Sequence, residues 1–173
     1  MRLFVAIDVS EVVKEHLAFL QRSLDVAGLH LVHPKNIHLT LNFLGTRSDI
    51  DKIIERLKTV SFKPFNLHLT NTGFFPTVDE PRVLWVGLEQ SIELVSLQRQ
   101  IDLLFKPKKS FKAHLTIARI KGVDEKHRLA IIDAVQRLKV KPLSFKVSSF
   151  KLFKSTLTPL GPVYEVLETF KPK

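Results

Sequence analysis

Apolar residues recur at the spacing of an amphipathic helix in four segments of the chain. Each segment is preceded by a serine or an aspartate that can cap a helix. The apolar positions are Val13, His16, Leu17, Leu20 and Leu24; Ile50, Ile53, Ile54, Leu57 and Val60; Leu94, Leu97, Ile101 and Leu104; and Leu129, Ile132, Val135 and Leu138. The pattern therefore predicts four helices, the first of them ending at Gly28.

Short runs that are apolar at every second position, or throughout, separate these helices and predict strands. They cover residues 1–9, 36–44, 62–70, 82–88, 113–120, 143–152 and 163–170, and we expect Asn71, Gly73 and Pro76 to break the third run. Because some strands follow one another directly, the order favours an α+β fold with largely antiparallel pairing. No linker or low-complexity segment divides the chain, so we expect residues 1–173 to form a single domain.

Composition narrows the class of protein only moderately. The formal net charge is +10, which fits an acidic partner such as nucleic acid about as well as it fits a merely basic surface, and the most basic segment is KPKKSFK at residues 106–112. The chain has no cysteine, which excludes disulfides and thiolate nucleophiles. It has neither a long apolar run nor a signal peptide at its start, so we expect a cytoplasmic protein without membrane contact.

One short motif occurs twice, in two of the predicted strands that are each followed by a helix. The first copy contains His38 and Thr40, and the second contains His114 and Thr116. Because alternate residues of a strand share a face, each copy presents an imidazole beside a hydroxyl while the intervening residues face the core. Two such units packed about a pseudo-twofold axis would bring both pairs to one cleft.

Paired histidines and hydroxyls suit the opening of a phosphodiester. One group must take a proton from water while another gives a proton to the departing oxygen, and histidine does both near neutral pH. Threonine hydroxyls can donate hydrogen bonds to the non-bridging phosphate oxygens. Such a site needs no metal and no cofactor.

A single His-x-Thr sequence is weak evidence, and this chain provides an internal control. His68 and Thr70 form a third match, but the strand that carries them is predicted to break at once and no helix follows it. We therefore interpret His68 as structural. A metal cluster of His30, His33 and His38 is conceivable, although no carboxylate lies close by in sequence to complete it.

Taken together, the two copies, HLTLNFLG at residues 38–45 and HLTIAR at residues 114–119, strongly resemble the motifs of the two-histidine (2H) phosphoesterases. Within that superfamily the chain looks like the branch of RNA 2',3'-cyclic phosphodiesterases, historically called 2'-5' RNA ligases. The segments MRLFVAI at residues 1–7, GFFP at 73–76 and RVLWVG at 82–87 also resemble that branch.

This resemblance implies two similar lobes of mainly antiparallel sheet with flanking helices, related by a pseudo-twofold axis with the active-site cleft between them. It implies metal-independent hydrolysis of a terminal 2',3'-cyclic phosphate of RNA to a 2'-phosphomonoester. We expect a monomer without an obligatory protein partner, and the sequence leaves open whether tRNA fragments are among the substrates. His38 would be the general acid and His114 the general base.

Four further residues acquire roles through the same resemblance. Thr40, Thr116 and Arg119 would bind phosphate oxygens, and Phe43 would stack on the terminal base. Phe43 and Arg119 have the opposite strand parity to their histidines, however. They can reach the cleft only if the strands twist, bulge or end there, and otherwise Phe43 is a core residue and Arg119 is solvated.

Two other functions remain open from the sequence. A non-catalytic RNA- or nucleotide-binding module of the same fold would suit the positive charge but would not need a matched acid and base. A metal-dependent phosphatase would need acidic clusters that the sequence lacks. Ligation, the reverse of opening the cyclic phosphate with a 5'-hydroxyl in place of water, is expected as a side activity.

Overall fold

The computed structural model describes residues 1–106 and 110–173. Pro107, Lys108 and Lys109, which belong to the basic segment at residues 106–112, lie outside the described residues. The strands are β1 (Arg2–Asp8), β2 (Leu29–Leu31), β3 (His38–Thr46), β4 (Phe65–Pro76), β5 (Pro81–Leu88), β6 (His114–Ile120), β7 (Ser144–Val147), β8 (Phe150–Thr158) and β9 (Gly161–Phe170). The helices are α1 (Glu11–Arg22), α2 (Ile50–Leu57), α3 (Ile92–Leu104) and α4 (Glu125–Gln136).

The strands form two sheets, which define the two lobes. The sheet of the first lobe has the order β3-β1-β8-β9, and the sheet of the second lobe has the order β2-β6-β5-β4-β7. Every neighbouring pair is antiparallel. The expected α+β architecture with two similar antiparallel lobes is therefore confirmed.

The helices begin where the capping residues predict. Ser10 accepts a hydrogen bond from the amide of Val13, Ser91 accepts one from Leu94, and Asp124 accepts one from His127. The predicted end of the first helix at Gly28 is wrong, because α1 ends at Arg22. Leu24 is nevertheless buried, so the apolar spacing continues for one turn after the helical hydrogen bonds have stopped.

Two helices cross from the lobe in which they start to the other lobe. Helix α1 follows β1 of the first lobe, yet the Gln21 side chain donates hydrogen bonds to the carbonyls of Val32 and Ile117 in and beside β6. Helix α3 follows β5 of the second lobe, yet Asp102 accepts a hydrogen bond from Asn42 of β3 at 2.8 Å. Each lobe is therefore covered by a helix that starts in the other.

The buried side chains of both lobes form one continuous apolar cluster. Leu39 and Leu41 from β3 and Leu115 and Ile117 from β6 all lie in it, on the helix-covered faces of their sheets. The histidines of these two strands consequently point away from the core. Among the described residues, no helix has both the length and the apolar character needed to cross a membrane.

The predicted break after residue 70 is wrong. Strand β4 continues to Pro76, and an irregular register between Leu69 and Thr72 shifts its pairing with β5 without ending it. Glycine is required at position 73 because a Cβ there would collide with the indole of Trp85. A glycine in a strand can mark such a close approach as readily as a turn.

The prediction of one strand over residues 143–152 is also wrong. Strand β7 pairs with β4 in the second lobe, whereas β8 pairs with β1 and β9 in the first lobe. The chain therefore passes from one lobe to the other at Ser148 and Ser149, which belong to neither strand. The short strand β2, which pairs with the edge of β6, had no clear signal in the sequence.

Candidate active site

Strands β3 and β6 contact each other where the two lobes meet. His38 and Thr40 on β3 are partly exposed, and so are His114 and Thr116 on β6. In each strand the pair is separated and followed by buried leucine or isoleucine, as the alternation of strand residues predicts. The structure thus brings the two copies of the motif to facing strands of the two lobes.

Both imidazoles are held in the same tautomer by their own strand. The Nδ1 atom of His38 lies 2.7 Å from the carbonyl oxygen of Asn36, and Nδ1 of His114 lies 2.6 Å from the carbonyl oxygen of Lys112. A carbonyl can only accept, so Nδ1 carries the proton in each ring. The neutral rings therefore keep a lone pair on Nε2, and that atom is the one available for proton transfer.

The electrostatic surroundings of His38 link the two lobes. Burial lowers its pKa to about 4, against the opposing effects of the Asn36 carbonyl and the Asp8 carboxylate. Positive charge on His114 and on Arg119, both from β6, lowers the pKa of His38 further. The three groups lie close enough for their charges to interact.

His114 is affected by fewer neighbours. Burial lowers its pKa below the usual value, the Lys112 carbonyl opposes that effect, and the ammonium of Lys112 adds to it. In the absence of a bound anion, both rings of the pair are therefore neutral near pH 7.

Aromatic side chains support His38 from three strands of the first lobe. The ring of Phe4 is stacked on the imidazole with 4.8 Å between centroids, and Phe153 is stacked in turn on Phe4 at 5.1 Å. Tyr164 of β9 meets the imidazole edge-on at 5.3 Å. These contacts restrict the orientation of the imidazole ring.

A second aromatic group lies beside His114. Phe75 of β4 contacts the imidazole edge-on, with 4.8 Å between centroids, and Trp85 of β5 lies 6.4 Å away. Trp85 is 6% exposed, and its indole nitrogen has no hydrogen-bond partner among the described residues. Gly73, which leaves room for the indole, is therefore part of the support of this histidine.

Matching irregularities in β3 and β6 decide the placement of Phe43 and Arg119. In the pairing with β1, Thr40 and Asn42 have partners and Leu41 is skipped. In the pairing with β5, Thr116 and Ala118 have partners and Ile117 is skipped. One extra residue in a strand reverses the parity of all that follow.

The consequence is that the residues beyond each bulge change faces. Phe43 is 59% exposed and its ring lies 6.3 Å from that of Phe4, so it borders the aromatic group around His38. Arg119 is exposed, and its charge lowers the pKa of both His38 and Tyr164 across the cleft. Phe43 is therefore not a core residue, whereas Arg119 is solvated, as the alternative held, with its charge acting on His38 across the cleft.

The third His-x-Thr match lies elsewhere. His68 is on β4, which is separated from β6 by β5, and its Nδ1 lies 3.4 Å from the carboxylate of Glu89. Its strand does not break as predicted, but a strand and not a helix follows it, as expected, and its position keeps it out of the His38 and His114 pair. The hypothetical cluster of three histidines is not formed either, because no group of metal-ligating side chains assembles within the described ranges.

Several residues around the two histidines had no assigned role from the sequence. Phe4, Phe75 and Trp85 lie in the segments that carried the family resemblance, and this was the available signal. Tyr164 reaches His38 from the last hairpin, and no local pattern indicates it. Asp8 faces His38 across the β1–β3 pair and forms ion pairs with Lys14 at 3.0 Å and Lys151 at 3.2 Å.

Comparison with known proteins gives an independent result. The family model described as LigT like phosphoesterase matches the chain twice, over residues 7–85 and 86–164. Proteins named RNA 2',3'-cyclic phosphodiesterase are similar to this chain over nearly their whole length. The one from Methanocaldococcus jannaschii is 39% identical, and the alignment covers 97% of this chain and 99% of the relative. The one from Archaeoglobus fulgidus is 36% identical, and the alignment covers 99% of this chain and 100% of the relative. A crystal structure of a protein from Thermus thermophilus, 31% identical, superposes with a TM-score of 0.79 and covers 99% of this chain and 97% of the other.

Proposed function

Because this chain belongs to the family of LigT-like phosphoesterases, we propose that it hydrolyses the terminal 2',3'-cyclic phosphate of RNA to a 2'-phosphomonoester. The observation that carries this proposal is the pair of imidazoles, His38 and His114, on facing strands with their Nδ1 atoms fixed and their Nε2 atoms available. The relatives named for this activity support the choice of substrate.

The reaction assigns one proton transfer to each histidine. Nε2 of His114 takes a proton from water as the water oxygen attacks phosphorus. The bond between phosphorus and the 3' oxygen breaks, and protonated Nε2 of His38 delivers a proton to that oxygen. The products are a 2'-phosphate and a free 3'-hydroxyl, and the histidines exchange protonation states.

The charge on the substrate makes this assignment compatible with two lowered pKa values. A general acid must be protonated, whereas burial favours the neutral form of His38. The anionic cyclic phosphate would raise the pKa of both rings when it binds. The carboxylate of Asp8, which favours the protonated form of His38, supports His38 as the acid.

Other side chains would neutralise and orient the phosphate. The hydroxyls of Thr40 and Thr116 lie on the same strand faces as the histidines and would donate to the non-bridging oxygens. Arg119, exposed towards the cleft beyond its bulge, would add a charge-assisted hydrogen bond. These side chains supply proton transfer and charge stabilisation, so a bound metal has no necessary role in the mechanism.

Phe43 would hold the terminal nucleoside. Its exposed ring beside Phe4 offers a flat apolar surface, and a base stacked there would leave its ribose directed towards His38. The same site would catalyse the reverse reaction with a 5'-hydroxyl, forming a 2'-5' linkage. In water the hydrolysis dominates, so ligation is a side activity.

The unit of function would be one chain. All six residues, His38, Thr40, Phe43, His114, Thr116 and Arg119, come from the same molecule, and both lobes share one apolar cluster. We therefore propose that the chain is a single bilobal domain that acts as a monomer. We also propose that it acts in the cytoplasm and that tRNA fragments are among its RNA substrates.

The test is incubation with an RNA oligomer that ends in a 2',3'-cyclic phosphate. We expect conversion to a 2'-phosphate end at an unchanged rate in EDTA. A product with a 3'-phosphate would contradict the regiochemistry. Salt-sensitive RNA binding without turnover would instead identify a non-catalytic binding module, for which the net charge of +10 is the favourable observation.

A further inference from the structure

We propose that Lys112 is a positioning residue for this hydrolysis: held over two aromatic rings, its ammonium places a fixed positive charge beside His114 and keeps that ring in the unprotonated form that a general base requires. This inference rests on the proposed function. Its experiment includes a measurement that does not depend on turnover.

The position of the ammonium is defined by aromatic contacts. Nζ of Lys112 lies 4.4 Å from the centroid of the Trp85 ring and 5.6 Å from the centroid of the Phe75 ring. A lysine on an exposed segment is ordinarily mobile, but two ring faces attract its cation and limit its range. The same two rings contact His114, so the lysine and the imidazole share one support.

The backbone of Lys112 acts on the same ring. Its carbonyl accepts the Nδ1–H of His114 at 2.6 Å, which leaves Nε2 without a proton in the neutral ring. The ammonium then disfavours a second proton, and it does lower the pKa of His114. The residue therefore selects both the tautomer and the charge of the proposed base.

Other charged groups around His114 do not duplicate this effect. His38 faces it from β3 and Arg119 follows it on β6. His68 lies beyond β5 on β4, and Glu89, directly after β5, lies 3.4 Å from His68. In the free protein, where burial keeps His38 neutral, the Lys112 ammonium is the charge among the described residues that lowers the pKa of His114.

The matching position in the first lobe has different chemistry. Asn36 stands two residues before His38 as Lys112 stands two before His114, and its carbonyl makes the equivalent bond to Nδ1. Its side chain is a neutral amide that donates to the carbonyl of Pro162. The charge that instead acts on His38 from the opposite strand position is the carboxylate of Asp8, which favours protonation. The second lobe has Gly87 at the position opposite His114.

The experiment compares Lys112→Met and Lys112→Gln with Lys112→Arg, which keeps the cation. Lys35→Met, at an exposed lysine beside the first motif, is the matched control. The pKa of His114 should rise by about half a pH unit in the two neutral variants, so kcat/KM on the cyclic-phosphate oligomer should fall about threefold at acidic pH, where this ring is protonated. At alkaline pH, where His114 is neutral in every variant, kcat/KM should be unchanged, and the arginine variant should behave as the wild type at all pH values.

A titration of the His114 ring followed by NMR provides the readout that is independent of turnover. Its midpoint should rise in the neutral variants and not in Lys112→Arg or Lys35→Met. An unchanged midpoint with unchanged kcat/KM at acidic pH would overturn the inference, as would a fall in kcat/KM of the same size at all pH values. If the wild-type protein shows no turnover, the proposed function fails while the titration still tests the coupling of Lys112 to His114.

Discussion

The two lobes present the same strand and the same bulge with different chemical surroundings. His38 and His114 both bind a carbonyl two residues earlier through Nδ1, and both strands skip one residue after the motif threonine. Yet the carboxylate of Asp8 lies across the strand pair from His38, whereas the ammonium of Lys112 lies beside His114. The repeated backbone places two similar imidazoles. The two charged neighbours would favour opposite proton transfers once a bound phosphate anion offsets the burial that lowers the pKa of both rings.

The residues that follow the two bulges also differ in chemistry between the lobes. The corresponding reversal of parity brings Phe43 to the open face of the first lobe and Arg119 to that of the second. An apolar ring suits a base, and a guanidinium suits a phosphate. The first lobe would therefore bind the nucleoside while the second lobe binds the anion.

The largest expected effect comes from removing either histidine. His38→Ala and His114→Ala should each lower kcat by roughly 10²–10⁴, because each variant lacks one of two proton transfers. The double variant should be scarcely slower than either single one, since the two groups act in one step. Turnover of the cyclic-phosphate oligomer measures this.

His68→Ala is the matched control, because it removes the same side chain from a third copy of the motif. It should retain full activity, and all three variants should unfold at similar temperatures. Comparable loss in His68→Ala would contradict the distinction between the copies.

Arg119→Met should have the next largest effect. It removes a charge-assisted hydrogen bond to the phosphate, worth about 1.5–3 kcal/mol, and kcat/KM should fall roughly 10- to 100-fold. Arg137→Met is a suitable control, since Arg137 forms an exposed ion pair with Asp133 on the surface. Unaltered kcat/KM in Arg119→Met would show that Arg119 is a solvated residue that does not bind the phosphate.

Phe43→Ala should have a smaller effect, and in a different kinetic constant. Loss of stacking on one base costs about 1–3 kcal/mol, so KM should rise about tenfold or more while kcat changes little. Phe19→Ala, at another exposed phenylalanine, provides the comparison. A fall in kcat with constant KM would mean that Phe43 acts on the chemical step through the neighbouring Phe4 and not on binding.

The smallest effect concerns pH. Burial lowers the pKa values of His38 and His114 in the free protein, so both limbs of kcat/KM should lie on the acidic side of 6.5. A bound phosphate anion opposes that shift, so the bell-shaped profile of kcat should lie at higher pH than that of kcat/KM. A kcat/KM profile centred above 6.5 would show that burial does not control these rings.

Much of the site followed from local pattern. The motif strands, the outward orientation of His38 and His114 and the caps of three helices were correctly predicted, because strand alternation and capping depend on residues close in sequence. The errors also had local causes. Gly73 was taken as a strand breaker, although it makes room for Trp85.

What the sequence alone determined is the chemistry available: two imidazoles and two hydroxyls on strands whose other faces are apolar. The tertiary structure decided which groups meet. The bulges that turn Phe43 and Arg119 to the cleft depend on register with β1 and β5, and Tyr164 reaches His38 only through the β8–β9 hairpin. Strand period is a property of the local backbone, whereas register and neighbours depend on partners that lie far away in the chain.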